Sequence, residues 1–251
     1  MSEPATEFVP SFDGERLAVH RLGAGRPVLL LHGLFSSAQM NWIRFGHAQA
    51  LADAGFEAIM PDLRAHGESA APHDPAGYPR GVLVRDVEAL VAAFGFVEFD
   101  LVGFSLGART AAAAAIAGLA PRRLVLAGMG LEGLAGGGER PNFFVDAIDR
   151  FDEVRPGDPA YMAVQFMKTM KTDRVATRLL LQAVKTVDAD ELPRIAMPTL
   201  VLCGEQDRDS GSPEALVEAL PDARLEFVPG THMSSVTQPE LGRAIVRFLE
   251  G

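Results

Sequence analysis

Short continuous apolar runs alternate along the chain with longer segments whose apolar residues recur every three or four positions. Continuous apolar runs of this length are typical of strands that are covered on both faces of a parallel sheet. A further run, residues 17–22, alternates more and is predicted to be an antiparallel strand at the sheet edge. The buried strands are predicted at residues 27–33, 56–62, 99–104, 122–128, 198–204 and 223–230.

The segments between the strands carry helical periodicity. In residues 81–94, for example, Val84, Val87, Leu90 and Val91 recur at three- and four-residue spacing. Repeated strand–helix units indicate a doubly wound, mostly parallel α/β sheet, whose functional loops lie beyond the carboxyl ends of the strands. Helices are predicted near residues 42–54, 81–94, 106–118, 213–220 and 236–249.

The alternation breaks between residues 129 and 195. This stretch begins with a glycine-rich sequence, GMGLEGLAGGGERPN, which we interpret as a flexible exit from the sheet. Three amphipathic helices are predicted after it, near residues 141–152, 158–171 and 173–187. We therefore expect an α/β core of residues 1–128 and 196–251, with residues 129–195 inserted as a helical cap, some of whose Phe and Met side chains roof an apolar pocket.

Composition narrows the class of protein. The chain has 251 residues, of which 48% are hydrophobic and 22% charged, as is ordinary for a globular protein. Its net charge of −10 argues against nucleic-acid binding, and no apolar run approaches the length of a membrane span. The N-terminus has no signal-peptide pattern, and the single cysteine, Cys203, fits a reducing compartment and a buried strand position. We expect a cytoplasmic monomer or homodimer with no nucleic-acid or membrane partner.

A candidate nucleophile lies where the strand at 99–104 meets the helix at 106–118. Gly103, Ser105 and Gly107 form a Gly-x-Ser-x-Gly pattern there. A tight strand-to-helix turn projects the serine hydroxyl away from the backbone, the two glycines relieve crowding, and the following helix directs its amides at the reacting centre. This context indicates that Ser105 is a nucleophile.

A serine hydroxyl needs a base, and the base needs an acid that orients it. His232 directly follows the last predicted strand and is the candidate base, whereas His20 lies in a strand and His47 and His73 are expected on helix or loop surfaces. Asp207, just past the strand that ends at Gly204, is the candidate acid. Asp209 and Glu132 remain alternatives, because both follow strand ends.

Together with these residues, the segments LLLHGLFSS, PDLRAHGES, GFSLG, CGEQD and GTHMSSVTQPE resemble, in order, those of the α/β-hydrolase superfamily, in its smaller capped, esterase-like branch. The resemblance covers nearly all of residues 15–250. It implies that the backbone amides of Leu34 and Leu106 form the oxyanion hole. It also implies that His32 has a structural role. Within PDLRAHGES, it implies that four residues brace the loop and take no part in the reaction: Asp62, Arg64, His66 and Ser69.

Three positions depart from the superfamily pattern. Ala65 replaces a customary glycine, Thr231 stands where a glycine often precedes the histidine, and Ala108 where a second glycine often follows the elbow. None of them removes a reacting group. The serine at position 105 also separates the chain from the dehalogenases and epoxide hydrolases of this fold, which carry aspartate there.

The expected function is hydrolysis of carboxylic esters of small-to-medium, fairly apolar substrates through an acyl-enzyme, with no metal or organic cofactor. Three other reactions need no further residue and remain alternatives: hydrolysis of lactones, including acyl-homoserine lactones, hydrolysis of carbon–carbon bonds, and perhydrolysis. A ligand-binding receptor on the same fold is the non-enzymatic alternative. The candidate pocket residues are Phe35, Phe104, Phe144, Phe166 and Met233.

Overall fold

A computed structural model describes residues 3–135 and 139–251. In these ranges, eight strands form one sheet in the order β1-β2-β4-β3-β5-β6-β7-β8. The strands are β1 (Ala5–Pro10), β2 (Arg16–Gly23), β3 (Arg26–Leu31), β4 (Phe56–Pro61), β5 (Asp100–Phe104), β6 (Leu124–Ala127), β7 (Thr199–Gly204) and β8 (Ala223–Val228).

The sheet is parallel from β4 through β8 and antiparallel at the other side, where β1 pairs with β2 and β2 with β4. The predicted mostly parallel α/β sheet is confirmed. The predicted place of β2 at the edge is wrong, because β1 lies outside it. Val9 is the one buried residue of β1, so this strand carries no apolar run that would have revealed it.

Helices connect the strands and cover both faces of the sheet. In the described ranges they are α1 (His47–Asp53), α2 (Val82–Phe94), α3 (Leu106–Ala117), α4 (Leu131–Ala135), α5 (Glu139–Asp149), α6 (Tyr161–Met170), α7 (Arg174–Ala183), α8 (Pro213–Ala219) and α9 (Pro239–Glu250). A turn of π-helix, Gln39–Ile43, precedes α1, and three short 3₁₀ turns lie at Pro75–Gly77, Ala189–Arg194 and Ser235–Thr237.

Alternate residues of the central strands enter two separate cores. Leu29 and Leu31 of β3 face a core shared with α2, α3 and α8, whereas Val28 and Leu30 face one shared with α1 and α9. Both sides of each parallel strand are therefore buried, which explains why these strands are apolar throughout. This arrangement fixes the carboxyl ends of β3, β5, β7 and β8 along one edge of the sheet.

Helices α4 to α7 lie between β6 and β7. Part of the segment interpreted as a flexible exit is helical, since α4 occupies Leu131–Ala135, and residues 136–138 of that segment lie outside the described residues. A third apolar cluster joins Phe35 to helices α5, α6 and α7 through Ile148, Val164, Met167 and Leu181, among others. The division of the chain into a core and a cap stays a prediction, as do the cytoplasmic location and the oligomeric state.

Within the described ranges, the helices are all too short or too polar to cross a bilayer.

Candidate active site

Ser105 occupies the sharp turn between β5 and α3, with φ 53° and ψ −110°. A positive φ is unusual for a residue with a side chain and marks a strained backbone. The turn closes because its neighbours are glycines: a Cβ on Gly103 would lie 2.3 Å from the Gly107 carbonyl oxygen, and one on Gly107 would lie 2.1 Å from the Leu31 oxygen. The Ser105 amide donates to the Ala127 carbonyl at 2.9 Å, which ties the turn to β6.

Asp207 and His232 follow the ends of β7 and β8, and His232 reaches Ser105 across the same edge of the sheet. The Nε2 atom of His232 lies 3.1 Å from the Ser105 Oγ, and its Nδ1 lies 2.9 Å from Oδ2 of Asp207. His232 and Asp207 are buried, and Ser105 is partly exposed. The structure thus brings together the three residues that the sequence proposed, in a line that runs from carboxylate to imidazole to hydroxyl.

Two loops carry the histidine and the aspartate, and hydrogen bonds join those loops. The amides of Glu205 and Gln206 donate to the carbonyls of Val228 and Gly230 at 2.8 and 2.9 Å. Oδ1 of Asp207 accepts from the Asp209 amide at 2.9 Å, so both carboxylate oxygens of Asp207 are engaged. This bonding holds the carboxylate oriented toward His232.

The alternative acids are used differently. Asp209 is exposed, and its backbone amide donates to Oδ1 of Asp207. Glu132 is exposed on α4 and accepts from the Ser212 amide at 2.7 Å. The structure places Asp207 beside the imidazole of His232.

The other histidines are placed away from Ser105. His73 is exposed and pairs with Asp173 at 2.8 Å, and His20 contacts Asp62 from β2. The expectation that His47 lies on a surface is wrong, because its ring is buried between α1 and α9 and Nε2 lies 2.6 Å from the Val236 carbonyl. Burial lowers the pKa of His47 and keeps it neutral.

The two candidate oxyanion donors lie on the loop after β3 and at the start of α3. Gly33 and Phe35, on either side of Leu34, donate their amides to Asn41 Oδ1 and to His66 Nε2. Across the described ranges, by contrast, neither the Leu34 amide nor the Leu106 amide is paired with an acceptor. Both residues border the cavity beside Ser105. Their role as oxyanion donors stays a prediction.

Comparisons with known proteins agree with this arrangement. The family model of the alpha/beta hydrolase fold matches residues 26–124, which include β3, β5 and the Ser105 turn. The structure of an esterase from Exiguobacterium antarcticum superposes with a TM-score of 0.81 at 22% identity, and the match covers 98% of this chain and 100% of that one. The chain therefore shares the α/β-hydrolase fold.

Two curated relatives extend the comparison. The chain is 36% identical over 110 residues to an epoxide hydrolase from Caballeronia sordidicola, a match that covers 44% of this chain and 32% of the relative. It is 27% identical over 279 residues to a non-heme haloperoxidase from Rhodococcus erythropolis, covering 97% of this chain and 99% of the relative. The chain therefore spans about a third of the length of the epoxide hydrolases it matches. The relatives support a hydrolase.

Residues of the PDLRAHGES segment brace the loop that follows β3. Asp62 accepts from the Ala38 and Glu68 amides at 2.8 and 2.9 Å. Burial works to raise the pKa of Asp62, but the hydrogen bond with His20 and the other contacts outweigh it and hold that pKa below its usual value. An ionised carboxylate thus fixes the loop from beneath.

Two buried histidines act in the same brace. His32 accepts from the Leu63 amide at 2.9 Å, and its ring lies edge-on to that of His66 with centroids 5.1 Å apart. Burial lowers the pKa of both rings, that of His66 to about 3 with a smaller contribution from His32. Both rings are therefore neutral at pH 7 and serve as acceptors for backbone amides.

Arg64 is fully buried and anchors the same segment to the N-terminal hairpin. Its guanidinium donates to both oxygens of Asp13, at 2.7 and 2.9 Å, and to both oxygens of Asp86, at 2.7 and 3.0 Å. Burial raises the pKa of Asp86 despite the adjacent Arg64. Ser69 completes the brace by donating to the Asp62 carbonyl. These contacts assign Arg64 and Ser69 to bracing, as the resemblance implies.

A cavity of about 40 Å³ opens beside the Ser105 hydroxyl. Of the five pocket residues suggested by the sequence, all in the described ranges, Phe144 lines it. Phe35 packs edge-on against Phe144, Phe104 packs against the ring of His232, Phe166 packs in the α5–α7 cluster, and Met233 is 53% exposed. The cavity lining comprises Leu34, Ser105, Leu106, Arg109, Met129, Gly133, Phe144, Leu181 and Val184.

Sequence reasoning missed four of these lining side chains, Arg109, Met129, Leu181 and Val184. Arg109 follows Ser105 by four residues on a helix, a spacing that places both on one helix face, and this was the available signal. Leu181 and Val184 lie at the end of α7. The position of this helix over the site cannot be predicted from local sequence patterns.

Cys203 lies buried in β7, and its thiol donates to the Met129 carbonyl at 3.4 Å. Burial raises its pKa to about 12, so the thiol is protonated and unreactive at neutral pH.

Three potential metal ligands lie close together beside Ser105. One carboxylate oxygen each of Asp207 and Asp209 and one ring nitrogen of His232 lie within 4.8 Å of one another. Asp207 and His232 already bond to each other there. A cation bound at these atoms would compete with that bond, so the geometry fits a hydrogen-bonded pair better than a metal centre.

Proposed function

We propose that this α/β hydrolase cleaves carboxylic esters of small-to-medium, fairly apolar acyl groups through an acyl-enzyme on Ser105. The observation that carries the proposal is the continuous pair of contacts through His232, 3.1 Å to the Ser105 hydroxyl and 2.9 Å to Asp207. A neutral imidazole that donates from Nδ1 to a carboxylate presents Nε2 as a base to the hydroxyl.

In the first half-reaction, Nε2 of His232 takes the Ser105 proton as Oγ attacks the ester carbonyl. The negative charge of the tetrahedral intermediate develops on the carbonyl oxygen, where the amides of Leu34 and Leu106 donate hydrogen bonds to it. The C–O bond to the alcohol then breaks, and His232 gives its proton to the leaving oxygen. Asp207 stabilises the imidazolium that exists between these two events.

In the second half-reaction, water attacks the acyl-enzyme. His232 accepts a proton from the water, the same amides stabilise the second tetrahedral intermediate, and Ser105 leaves with the proton returned by His232. The carboxylic acid is released and the enzyme is restored. No redox step occurs.

The cavity supports a small, mostly apolar acyl group. Its walls include the apolar side chains of Met129, Phe144, Leu181 and Val184. Its volume of about 40 Å³ limits the acyl group to a short chain. In this proposal residues 129–195 form the cap that roofs the cavity.

The nucleophile favours ester over epoxide substrates. Attack of the Ser105 hydroxyl on an epoxide would leave an ether on the enzyme, which has no carbonyl for water to attack. An ester carbonyl gives an acyl-enzyme that the same residues can hydrolyse.

A turnover panel tests the proposal. The panel comprises aryl esters of two- to eight-carbon acyl groups, acyl-homoserine lactones and a dienoic diketone, with the Ser105→Ala variant as the blank. We expect the highest kcat/KM on short esters and no turnover above background in Ser105→Ala. Equal rates for wild type and variant on every substrate would refute the role of Ser105, and ligand binding without any turnover would favour a receptor.

A second candidate function is perhydrolysis, which the match to the haloperoxidase over nearly the whole of both chains favours. Hydrogen peroxide can replace water as the attacking group on an acyl-enzyme, and the peracid released can oxidise bromide. Bromination of a phenol dye in acetate buffer with peroxide measures this directly. Dependence on both acetate and Ser105 supports perhydrolysis, and bromination that persists in Ser105→Ala contradicts it.

A further inference from the structure

The cavity beside Ser105 contains a cation in an otherwise mainly apolar wall. Arg109 lies four residues after Ser105, and its amide donates to the Ser105 carbonyl at 3.0 Å in the first turn of α3. Side chains on a helix point back toward the helix N-terminus, so the guanidinium of Arg109 leans over the turn that carries Ser105. Arg109 and Ser105 consequently line the same cavity.

A second, smaller cavity adjoins the first and adds another cation. The two cavities share Arg109 and Val184, and Lys185 lines the second. Asp and Glu side chains are absent from the linings of both cavities as far as the described ranges show. Two cationic side chains, Arg109 and Lys185, thus line these cavities in a chain whose net charge is −10.

The guanidinium contacts the neutral Gly133 carbonyl through Nη2, at the start of the segment that leads into the cap. A carboxylate is a stronger acceptor than a peptide carbonyl, and it matches the planar donor fork of arginine. A ligand carboxylate in the cavity can therefore compete with Gly133 for Arg109.

We propose that Arg109 determines specificity by binding a carboxylate on the acyl part of the substrate, so that the preferred substrates are half-esters of short dicarboxylic acids. This inference rests on the proposed ester hydrolysis at Ser105. The apolar residues Met129, Phe144 and Leu181 contact the methylene chain, Ser105 attacks the ester carbonyl at one end, and Arg109 holds the carboxylate at the other. The cavity volume of about 40 Å³ limits the linker to a short chain, such as those of succinate to adipate.

Matched substrates that differ in charge alone provide the test. Monoethyl glutarate carries the carboxylate, and ethyl glutaramate replaces it with a neutral amide of nearly the same shape. We expect wild-type kcat/KM to be about 10- to 100-fold higher for the half-acid, because a charge-assisted bidentate contact is lost with the amide. Acid release at constant pH measures both rates, with Ser105→Ala as the blank.

Variants of Arg109 separate recognition from structural support. Arg109→Gln is expected to bring the ratio of the two kcat/KM values to about one, mainly by raising KM for the half-acid. Arg109→Lys retains the charge without the fork and should keep an intermediate ratio. Arg243→Gln, on the exposed face of α9, is the matched control and should leave the ratio at its wild-type value. A wild-type ratio that Arg109→Gln does not change overturns the inference.

A binding experiment distinguishes failure of this inference from failure of the proposed function. In the Ser105→Ala background, calorimetry measures the Kd of monoethyl glutarate and of ethyl glutaramate with and without Arg109→Gln. We expect the half-acid to bind about tenfold more tightly than the amide, and Arg109→Gln to abolish that difference. This result supports the role of Arg109 even if the wild type cleaves neither ester. Turnover of ethyl glutaramate without any charge preference, in rate or in binding, overturns the role of Arg109 and leaves ester hydrolysis standing.

Discussion

The imidazole of His66 accepts a hydrogen bond from the Phe35 amide, at 3.0 Å between Nε2 and N. Its Nδ1 lies 3.0 Å from the Arg64 carbonyl and donates to it, so the ring is held in a single neutral tautomer. Phe35 has φ 59°, a conformation that is costly for a bulky residue and that persists only when its surroundings enforce it. Because Leu34 directly precedes Phe35, His66 positions the backbone that carries the proposed oxyanion donor.

Replacing His66 tests this relationship. We expect His66→Ala to lower the free energy of unfolding by about 2–4 kcal/mol, because it leaves a buried amide unpaired and a cavity behind. We also expect kcat to fall by about 10- to 100-fold with little change in KM, because a displaced donor weakens binding of the transition state more than of the substrate. Urea unfolding and ester hydrolysis measure the two effects.

His73→Ala is the matched control, because this histidine is exposed and its ion pair with Asp173 lies at the surface. Its removal should change stability by less than about 1 kcal/mol and leave kcat unaltered. A stable His66→Ala variant with wild-type kcat would show that His66 does not position the loop.

Acid should destabilise the protein through the buried histidines. Burial lowers the folded-state pKa of His32, and that of His66 to about 3, below the value of about 6.5 in the unfolded chain. Between these values the unfolded chain binds more protons, so stability is full above about pH 6.5 and is lost as the pH falls toward 3. Each histidine contributes a slope of up to about 1.4 kcal/mol per pH unit.

Urea unfolding at pH 7.5, 6 and 5 measures that slope. The pKa of Asp62 is also lowered, which adds to acid lability below about pH 4, and that of Asp86 is raised, which opposes it. His66→Phe removes one titrating group and should give a shallower slope between pH 6.5 and 5. An identical slope in wild type and variant would contradict the assignment of a neutral, buried His66.

Asp207 and Asp209 form a matched pair for testing the acid. We expect Asp207→Asn to lower kcat by about 10³- to 10⁴-fold, because an amide in place of the carboxylate favours the wrong imidazole tautomer and cannot stabilise the imidazolium. Asp209→Asn should change kcat by less than about threefold, because Asp209 meets Asp207 through its backbone amide. A greater loss in Asp209→Asn than in Asp207→Asn, measured by ester hydrolysis, would exchange their roles.

Ala65 is a site where glycine should stabilise the protein. The sequence departs from its superfamily there, and the structure gives Ala65 a φ of 67°, which glycine adopts without strain. Relief of a left-handed conformation is partly offset by the greater freedom of glycine in the unfolded chain, so we expect Ala65→Gly to gain about 0.5–1 kcal/mol.

The neighbouring substitution provides the contrast. Gly67→Ala should be strongly destabilising, because a Cβ there would lie 2.0 Å from the Asp62 carboxylate. The midpoint of urea unfolding measures both variants. A lower midpoint for Ala65→Gly than for wild type would show that the alanine side chain contributes more than its backbone strain costs.

Much of the sheet could be predicted from the sequence because its buried strands carry apolar residues on both faces. The strands at 56–61 and 199–204 lie within a residue or two of their predicted bounds. Strand β1 could not be predicted in this way, since Val9 is its one buried residue. The helix predicted near residues 42–54 overlaps the π-helical turn at Gln39–Ile43 only at residues 42 and 43, so that turn was not predicted.

The reacting residues could be proposed from the sequence because each follows a strand end, and parallel strands bring their carboxyl ends together. The residues that line the pocket could not be predicted in this way. Its walls depend on how α4 and α7 lie over the sheet, which local periodicity does not encode, so exposed Met233 was included and Arg109 was missed. The burial of His47 could not be predicted either, because its contact with Val236 joins residues that are 189 positions apart in the sequence.

The central claim is that Ser105 is the nucleophile, and mass spectrometry after reaction with a fluorophosphonate tests it most directly. The account predicts one adduct per chain, located on Ser105 by peptide mapping, with loss of ester hydrolysis in proportion to labelling and with no adduct in Ser105→Ala. An adduct on another residue that accompanies the loss of activity, or full activity in Ser105→Ala, would contradict it.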